Sequence, residues 1–160
     1  MLLELIGFKT ELAAKISVGK GTTFSRADIR AIHRATLVAE VCCETDAFHL
    51  TIFYLHAFVV MPEHVHLLIT PQKSLERAVQ LIKGGYSREF GLQFGSKKEI
   101  WQRGFADHRI RDAEDFETHR EYIHQNPVKR GLVASAAEYK LCSAFPGFRL
   151  DRWPSAAKAA

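Results

Sequence analysis

FHLTIFYLHAFVVMPEHVHLLIT, residues 48–70, is the stretch whose reading decides the fold. Residues 48–61 are dense in aromatic and β-branched side chains, the composition of a strand on a pleated, packed surface. Pro62 and Glu63 interrupt the run and His64–Thr70 resumes it. The two halves are therefore expected to fold back on each other as an antiparallel hairpin. Along a strand, residues two apart share a face, so His64 and His66 point one way and Val65, Leu67 and Ile69 the other. Two neighbouring imidazoles lying off the apolar core face have the geometry of adjacent metal ligands. A strand with a half-polar outer face would look the same.

Outward from the hairpin, Ser25–Val41 reads as a helix. Ser25 is placed to cap it, Asp28 sits in the capping-box position, and Ile29, Ile32, Leu37 and Val41 recur at helical intervals. After Pro71, Ser74 caps a second helix over SLERAVQLIKGGYSREF. Its Gly84-Gly85 pair marks either a helix end or a close backbone approach, at roughly 1 kcal/mol of helix stability per glycine. WQRGFADHRIRD (101–112) alternates, which predicts a strand with Arg109 and Arg111 on one face and His108 and Ile110 on the other. Ala113–Gln125 follows as a helix with Asp112, Glu114 and Asp115 at its start, where carboxylates suit the positive end of the dipole. Pro127 is expected to end it. Residues 1–24 begin amphipathically (Leu2, Leu3, Leu5, Ile6) and run into the loop-like VGKGTT without an assignable element, and 154–160 reads as a frayed tail. Helices alternating with strands around an antiparallel hairpin place the chain in the α+β class, one antiparallel sheet with helices packed mainly on one face.

With 160 residues and 47% hydrophobic content, the chain has material for one core and is expected to be a single domain over 1–160. No apolar run approaches the roughly 18 residues of a membrane span. Glu4 interrupts the apolar N-terminus, which carries no cleavage signal. Three cysteines, two of them the neighbours Cys42 and Cys43, form no CxxC pair and suit the reducing cytoplasm. A net charge of +4 leans toward a polyanionic partner, an inclination shared by many basic proteins.

REYIHQNPVKRGL (120–132) brings a second set of reactive groups. Tyr122 and Asn126 are four residues apart and share one helix face. One reading packs the tyrosine on the sheet and lets the asparagine close the helix before the proline. The other is chemical: an amide oxygen can ligate a metal, and a phenol can act as nucleophile once helped to lose its proton. Joined to the histidine pair, these groups suggest a divalent ion with open positions gripping a phosphodiester beside an attacking phenol. The product, a phosphotyrosine ester and a free hydroxyl, keeps the energy needed to rejoin strands without a nucleotide.

Taken in order, VVMPEHVHLLITP, SLERAVQLIKGGYSREF, IWQRGFADHRIRD and YIHQNPVKRGLV closely resemble the single-tyrosine transposases that carry a His-hydrophobe-His motif, in particular their REP-associated branch. The resemblance runs from about Tyr54 to Trp153. It implies a ferredoxin-like sheet, a divalent metal (Mg2+ or Mn2+), and single-stranded DNA folded into hairpins as partner, handled by one chain or across a homodimer. By position, His64 and His66 match the metal-binding histidines, Asn126 the third ligand and Tyr122 the nucleophile that forms a 5′-phosphotyrosine link. Members usually open with a short aromatic and threonine-rich strand that becomes an inner strand of the sheet, and residues 1–24 offer no evident counterpart.

Lys83, Arg88, Arg103, Arg109, Arg111, Lys129 and Arg130 are expected to form a phosphate-binding set, each of them equally well read as a solvated surface charge, with Tyr86 or Trp101 available to stack on an unpaired base. Trp101 suits the core as well. His56 and His108 read as ordinary sheet histidines, and His119 and His124 flank the helix face of Tyr122 without sharing it. Two other functions fit the same residues: a decayed copy that binds hairpins without cutting, and a small metallohydrolase in which water attacks and Tyr122 is structural.

Overall fold

The computed structural model describes residues 1–6, 52–95 and 99–153. The expected helix at Ser25–Val41 and residues 48–51 of the first expected strand lie outside them. The described chain runs β1 (Leu2–Ile6), β2 (Phe53–Val60), β3 (His64–Pro71), α1 (Leu75–Phe94), β4 (Ala106–His108), α2 (Ala113–Lys129) and a 3-10 turn at Ala136–Glu138. The hairpin forms where the sequence places it, with Met61 N donating to His64 O at 2.8 Å across Pro62-Glu63. All pairings are antiparallel and the order is β2-β3-β1-β4, that of a ferredoxin-like sheet.

One correction falls at the N-terminus. The inner-strand slot is filled after all, by the five residues LLELI of β1, with Leu2 opposite Leu68, Glu4 opposite His66 and Ile6 opposite His64. So short a leucine-rich segment carries little of the signal that marks a strand, with no aromatic residue and a single β-branched one, Ile6. Only pairing with β3 and β4 on either side makes it one.

Apolar side chains are buried on both faces of β3: Leu68 on the histidine side, Val65, Leu67 and Ile69 on the other. On the histidine face α2 supplies Phe116 and Ile123. The outer edge of β2 would be an open template for pairing with another chain. Here the C-terminal segment covers it: Val60 N donates to Leu141 O and Ser143 N to Phe58 O at 2.9 Å, and Asp151 bonds Leu55 through both its backbone and its carboxylate. The irregularity in β2 falls at His56. Its Nδ1 donates to Asp151 O and its Nε2 accepts from Thr70 Oγ1, both at 2.9 Å, between the rings of Phe116 and Trp153. That is a structural histidine, and burial lowers its pKa.

Ser74 caps α1 by accepting from Arg77 N. Neither expected role of the glycine pair is met at Gly84. The helix continues to Phe94, and a Cβ on Gly84 would meet nothing within 4 Å. Burial of Ala78, Val79, Ile82 and Tyr86 outweighs the loss in propensity. The expected strand 101–112 shrinks to Ala106–His108, and Arg109–Arg111 leave the ladder. The competing demand is the start of α2. Asp112 caps it through Asp115 N, and Asp115 Oδ2 accepts from Arg111 N, which pulls this backbone into the cap.

The far end of α2 also differs from expectation. Pro127 lies inside the helix, which runs on to Lys129. Proline so near the terminus forfeits a single backbone bond, and the helix stops at a glycine instead. Gly131 adopts φ +66°, its N–H donates to Val128 O, and Leu132 N donates to Pro127 O. This is a Schellman stop, which favours glycine at the left-handed position.

Candidate active site

Three side chains that could ligate a metal meet on the sheet. His64 and His66 share a face of β3 because they are two apart. Glu4 joins them because antiparallel register sets it directly opposite His66. Each offers a ligating atom within 4.8 Å of the other two, and the two imidazole rings lie 4.7 Å apart at 78°.

The histidines do not lie off the core as expected. Both are buried, His66 with 2% of its surface exposed, because α2 closes over this face. Burial is the first cause holding both imidazoles below their usual pKa. His66 is pushed down to about 4, helped by His64 and Arg130, while Glu4 partly offsets the effect on His64. Both rings are therefore neutral near pH 7, the form that ligates metals. His66 Nδ1 is buried with no hydrogen-bond partner, a state that is costly unless something completes the site. Two neutral imidazoles, a carboxylate and an unsatisfied buried nitrogen fit a divalent cation.

α2 brings the nucleophile candidate. Its buried stripe of Phe116, Ile123, Asn126 and Pro127 fixes the helix phase and leaves Tyr122 at the margin, 42% exposed. The Tyr122 ring meets His66 edge-on at 5.4 Å. Lys129, two turns along, places its ammonium 5.5 Å from the Tyr122 ring centroid, a cation–π distance. Asn126 is buried, and its Nδ2 donates to Tyr122 O at 3.0 Å, which leaves its amide oxygen uncommitted among the described residues. Arg130, at the helix cap, lines a cleft of about 170 Å³ with Met61, Pro62, Glu63, His64 and Leu132.

The remaining basic residues are dispersed. Lys83 turns to the loop before β4, donating to Gln102 O at 2.9 Å and Gly104 O at 2.5 Å, and burial lowers its pKa. Arg88 is exposed on α1 and Arg103 on the loop before β4. Arg109 and Arg111 are exposed just before α2, whose first residue, Ala113, lies about 13 Å along the helix axis from Tyr122. Trp101 is half-buried, donates to Lys83 O and packs against Tyr86 and the core.

Sequence reading missed Glu4, whose only signal is its register opposite His66. It also missed a second cluster, His108, Asp115 and His119, in which the Asp115 carboxylate lies within 3.3 Å of a nitrogen on each ring. The i, i+4 spacing of Asp115 and His119 was legible; the approach of His108 was not.

Against this geometry, a family model described as "Transposase IS200 like" matches residues 35–126, more than half of the chain. This chain belongs to the IS200-like transposase family. A Haemophilus influenzae relative is 30% identical over 110 residues, 61% of this chain. The REP-associated tyrosine transposase of Escherichia coli K12 is 34% identical over 90 residues, 54% of this chain. The matches span 62% and 52% of those relatives' own lengths. A solved structure of a REP-associated tyrosine transposase bound to a REP hairpin superposes with a TM-score of 0.58 at 23% identity, covering 88% of this chain and 74% of the other, and so shares the fold. No described helix is long and apolar enough to cross a membrane.

Proposed function

We propose that this chain is a metal-dependent DNA strand-transfer enzyme that nicks and rejoins single-stranded, hairpin-bearing DNA through a 5′-phosphotyrosine intermediate. What carries it is the 5.4 Å approach of the Tyr122 ring to His66 within one chain, which sets a phenol beside the ligand set without help from a second copy. The hairpin as substrate rests on the relative solved with a REP hairpin bound.

Tyr122 Oη attacks phosphorus as the bond to the 3′ oxygen breaks. The phenol loses its proton and the departing oxygen gains one, so the products are a 5′-phosphotyrosine and a 3′ hydroxyl. Attack by a 3′ hydroxyl on that ester reverses the exchange and frees the phenol. Lys129, its ammonium 5.5 Å from the ring centroid, sets a positive charge beside the place an incoming phosphate would occupy. Arg130, beside His64, is positioned to take a flanking phosphate. His64 and His66 would hold Mg2+ or Mn2+, with the Asn126 amide oxygen as a further donor. When bound, that ion draws charge from a non-bridging phosphate oxygen.

The test is incubation of the protein with labelled hairpin-bearing single strands and Mn2+, read on a denaturing gel. Wild type yields a covalent protein–DNA adduct, and Tyr122→Phe binds the hairpin but yields none. Cleavage by Tyr122→Phe would assign the attack to water. Binding without cleavage in both proteins would identify a copy that has lost its chemistry.

A further inference from the structure

We propose that Glu4 is a metal ligand, completing with His64 and His66 a two-histidine, one-carboxylate set. This deepens the proposed function and rests on its metal site. Three observations lead here. Glu4 is the cross-strand partner of His66, so its side chain rises from the same face of the sheet. Its ligating oxygen lies within 4.8 Å of ligating atoms on both histidines. It makes no hydrogen bond or ion pair among the described residues, although it is half-buried in the centre of the sheet.

A half-buried carboxylate with no hydrogen bond or ion pair among the described residues stands beside a buried imidazole whose Nδ1 is unpaired, and that nitrogen is costly to the fold unless it serves a ligand. A divalent cation answers both at once. The choice of donors also decides which cation binds. Imidazoles alone suit Zn2+, Cu2+ and Ni2+, whereas a carboxylate shifts preference toward harder ions such as Mn2+ and Mg2+. Glu4 lowers the net charge of the loaded site by one and leaves open positions for phosphate oxygens. β1, the strand with the least sequence signal, thereby acquires a chemical role in addition to its place in the sheet.

The experiment measures Mn2+ binding to the whole chain without DNA, by the loss of the free-ion electron paramagnetic resonance signal on titration. Wild type is compared with Glu4→Gln, Glu4→Asp and Asp107→Asn. Asp107 carries the same charge on the same sheet, opposite Leu3 and therefore on the other face from Glu4. The expected result is a loss of at least about 10-fold in Mn2+ affinity for Glu4→Gln, since even outer partners of a metal ligand cost that much. Glu4→Asp should fall between Glu4→Gln and wild type, and Asp107→Asn should match wild type. Equal affinity in wild type and Glu4→Gln, or equal losses in Glu4→Gln and Asp107→Asn, overturns the assignment while leaving the tyrosine chemistry standing. Wild type that binds no Mn2+ overturns the assignment together with the metal site. If Glu4→Gln does not fold, Glu4→Asp with unchanged affinity is decisive against it.

Discussion

Replacing His66 by leucine should stabilise the metal-free protein and end metal binding, opposite effects from one substitution. The imidazole is 2% exposed and its Nδ1 has no partner, a state that costs about 1–3 kcal/mol. Leucine is close in volume and has no polar atom, so some of that cost is recovered, less the strain of repacking. About 1 kcal/mol remains, which raises Tm by roughly 2–4 °C for a chain of this size. Alanine is a poorer probe, because it opens a cavity against α2 and hides the gain. The same substitution should alter the pH response. His66 is held down to about 4 from an unfolded value of 6.5, so between those limits the unfolded state binds the proton and the native state does not. Stability is full above the unfolded value and is lost as pH falls toward the folded one, by roughly 1 kcal/mol at about pH 5.5 from this residue. Removing the imidazole removes that share of the loss. Chelator-treated wild type and variant, melted at neutral pH and near pH 5.5, provide the comparison. A variant at least about 1 kcal/mol less stable at neutral pH, or one with an unchanged pH dependence, would refute the claim that His66 is an unsatisfied neutral group kept for a ligand.

Gly84→Ala should raise stability by about 0.5–1 kcal/mol, because the residue sits inside α1 with open space where a Cβ would stand; a lower melting temperature would show that the site is not open. Replacing Arg109 and Arg111 together should flatten the salt dependence of hairpin binding, since each phosphate contact releases counterions, and an unchanged slope measured by fluorescence anisotropy would remove the start of α2 from the DNA footprint.

The parts legible in sequence were those whose signal is local. The β2–β3 hairpin announced itself through composition and a proline turn. The cap at Ser74 was readable from residue type, the start of α2 from its acidic residues, and Tyr122 and Asn126 from helical spacing. What failed involved competition between local rules or pairing at a distance. Alternation in 101–112 looked like a long strand, but the N-cap of α2 claimed Arg111 and Asp112. Pro127 looked like a stop, but one lost bond in a last turn is tolerable and Gly131 supplied the real terminus. Glu4 was invisible as a site residue because its meaning lies in a register spanning some sixty residues of chain.

Among the described residues, two His-carboxylate clusters of similar composition lie on this one sheet and helix, and physical chemistry separates them. In the cluster at the start of α2, His119 Nδ1 already bonds Asp115 O at 2.8 Å and lies 2.9 Å from its carboxylate, while His108 Nε2 lies 3.3 Å from the same carboxylate. Asp115 also accepts from Arg111 N, the first cause of its lowered pKa. An incoming ion would have to break these contacts before gaining its own. Geometry opposes it further: the two rings are stacked at 4.5 Å and 19°, and lone pairs lying in nearly parallel planes do not converge on one point. His64 and His66 differ on both counts. Their planes cross at 78°, which allows in-plane nitrogens to aim at a common centre, and a buried nitrogen there has no protein partner to give up. The cluster at the start of α2 is therefore a self-satisfied helix-cap network that ties β4 to α2. The centre at Glu4, His64 and His66 is the one the fold leaves chemically incomplete, and it is the one that Tyr122 faces.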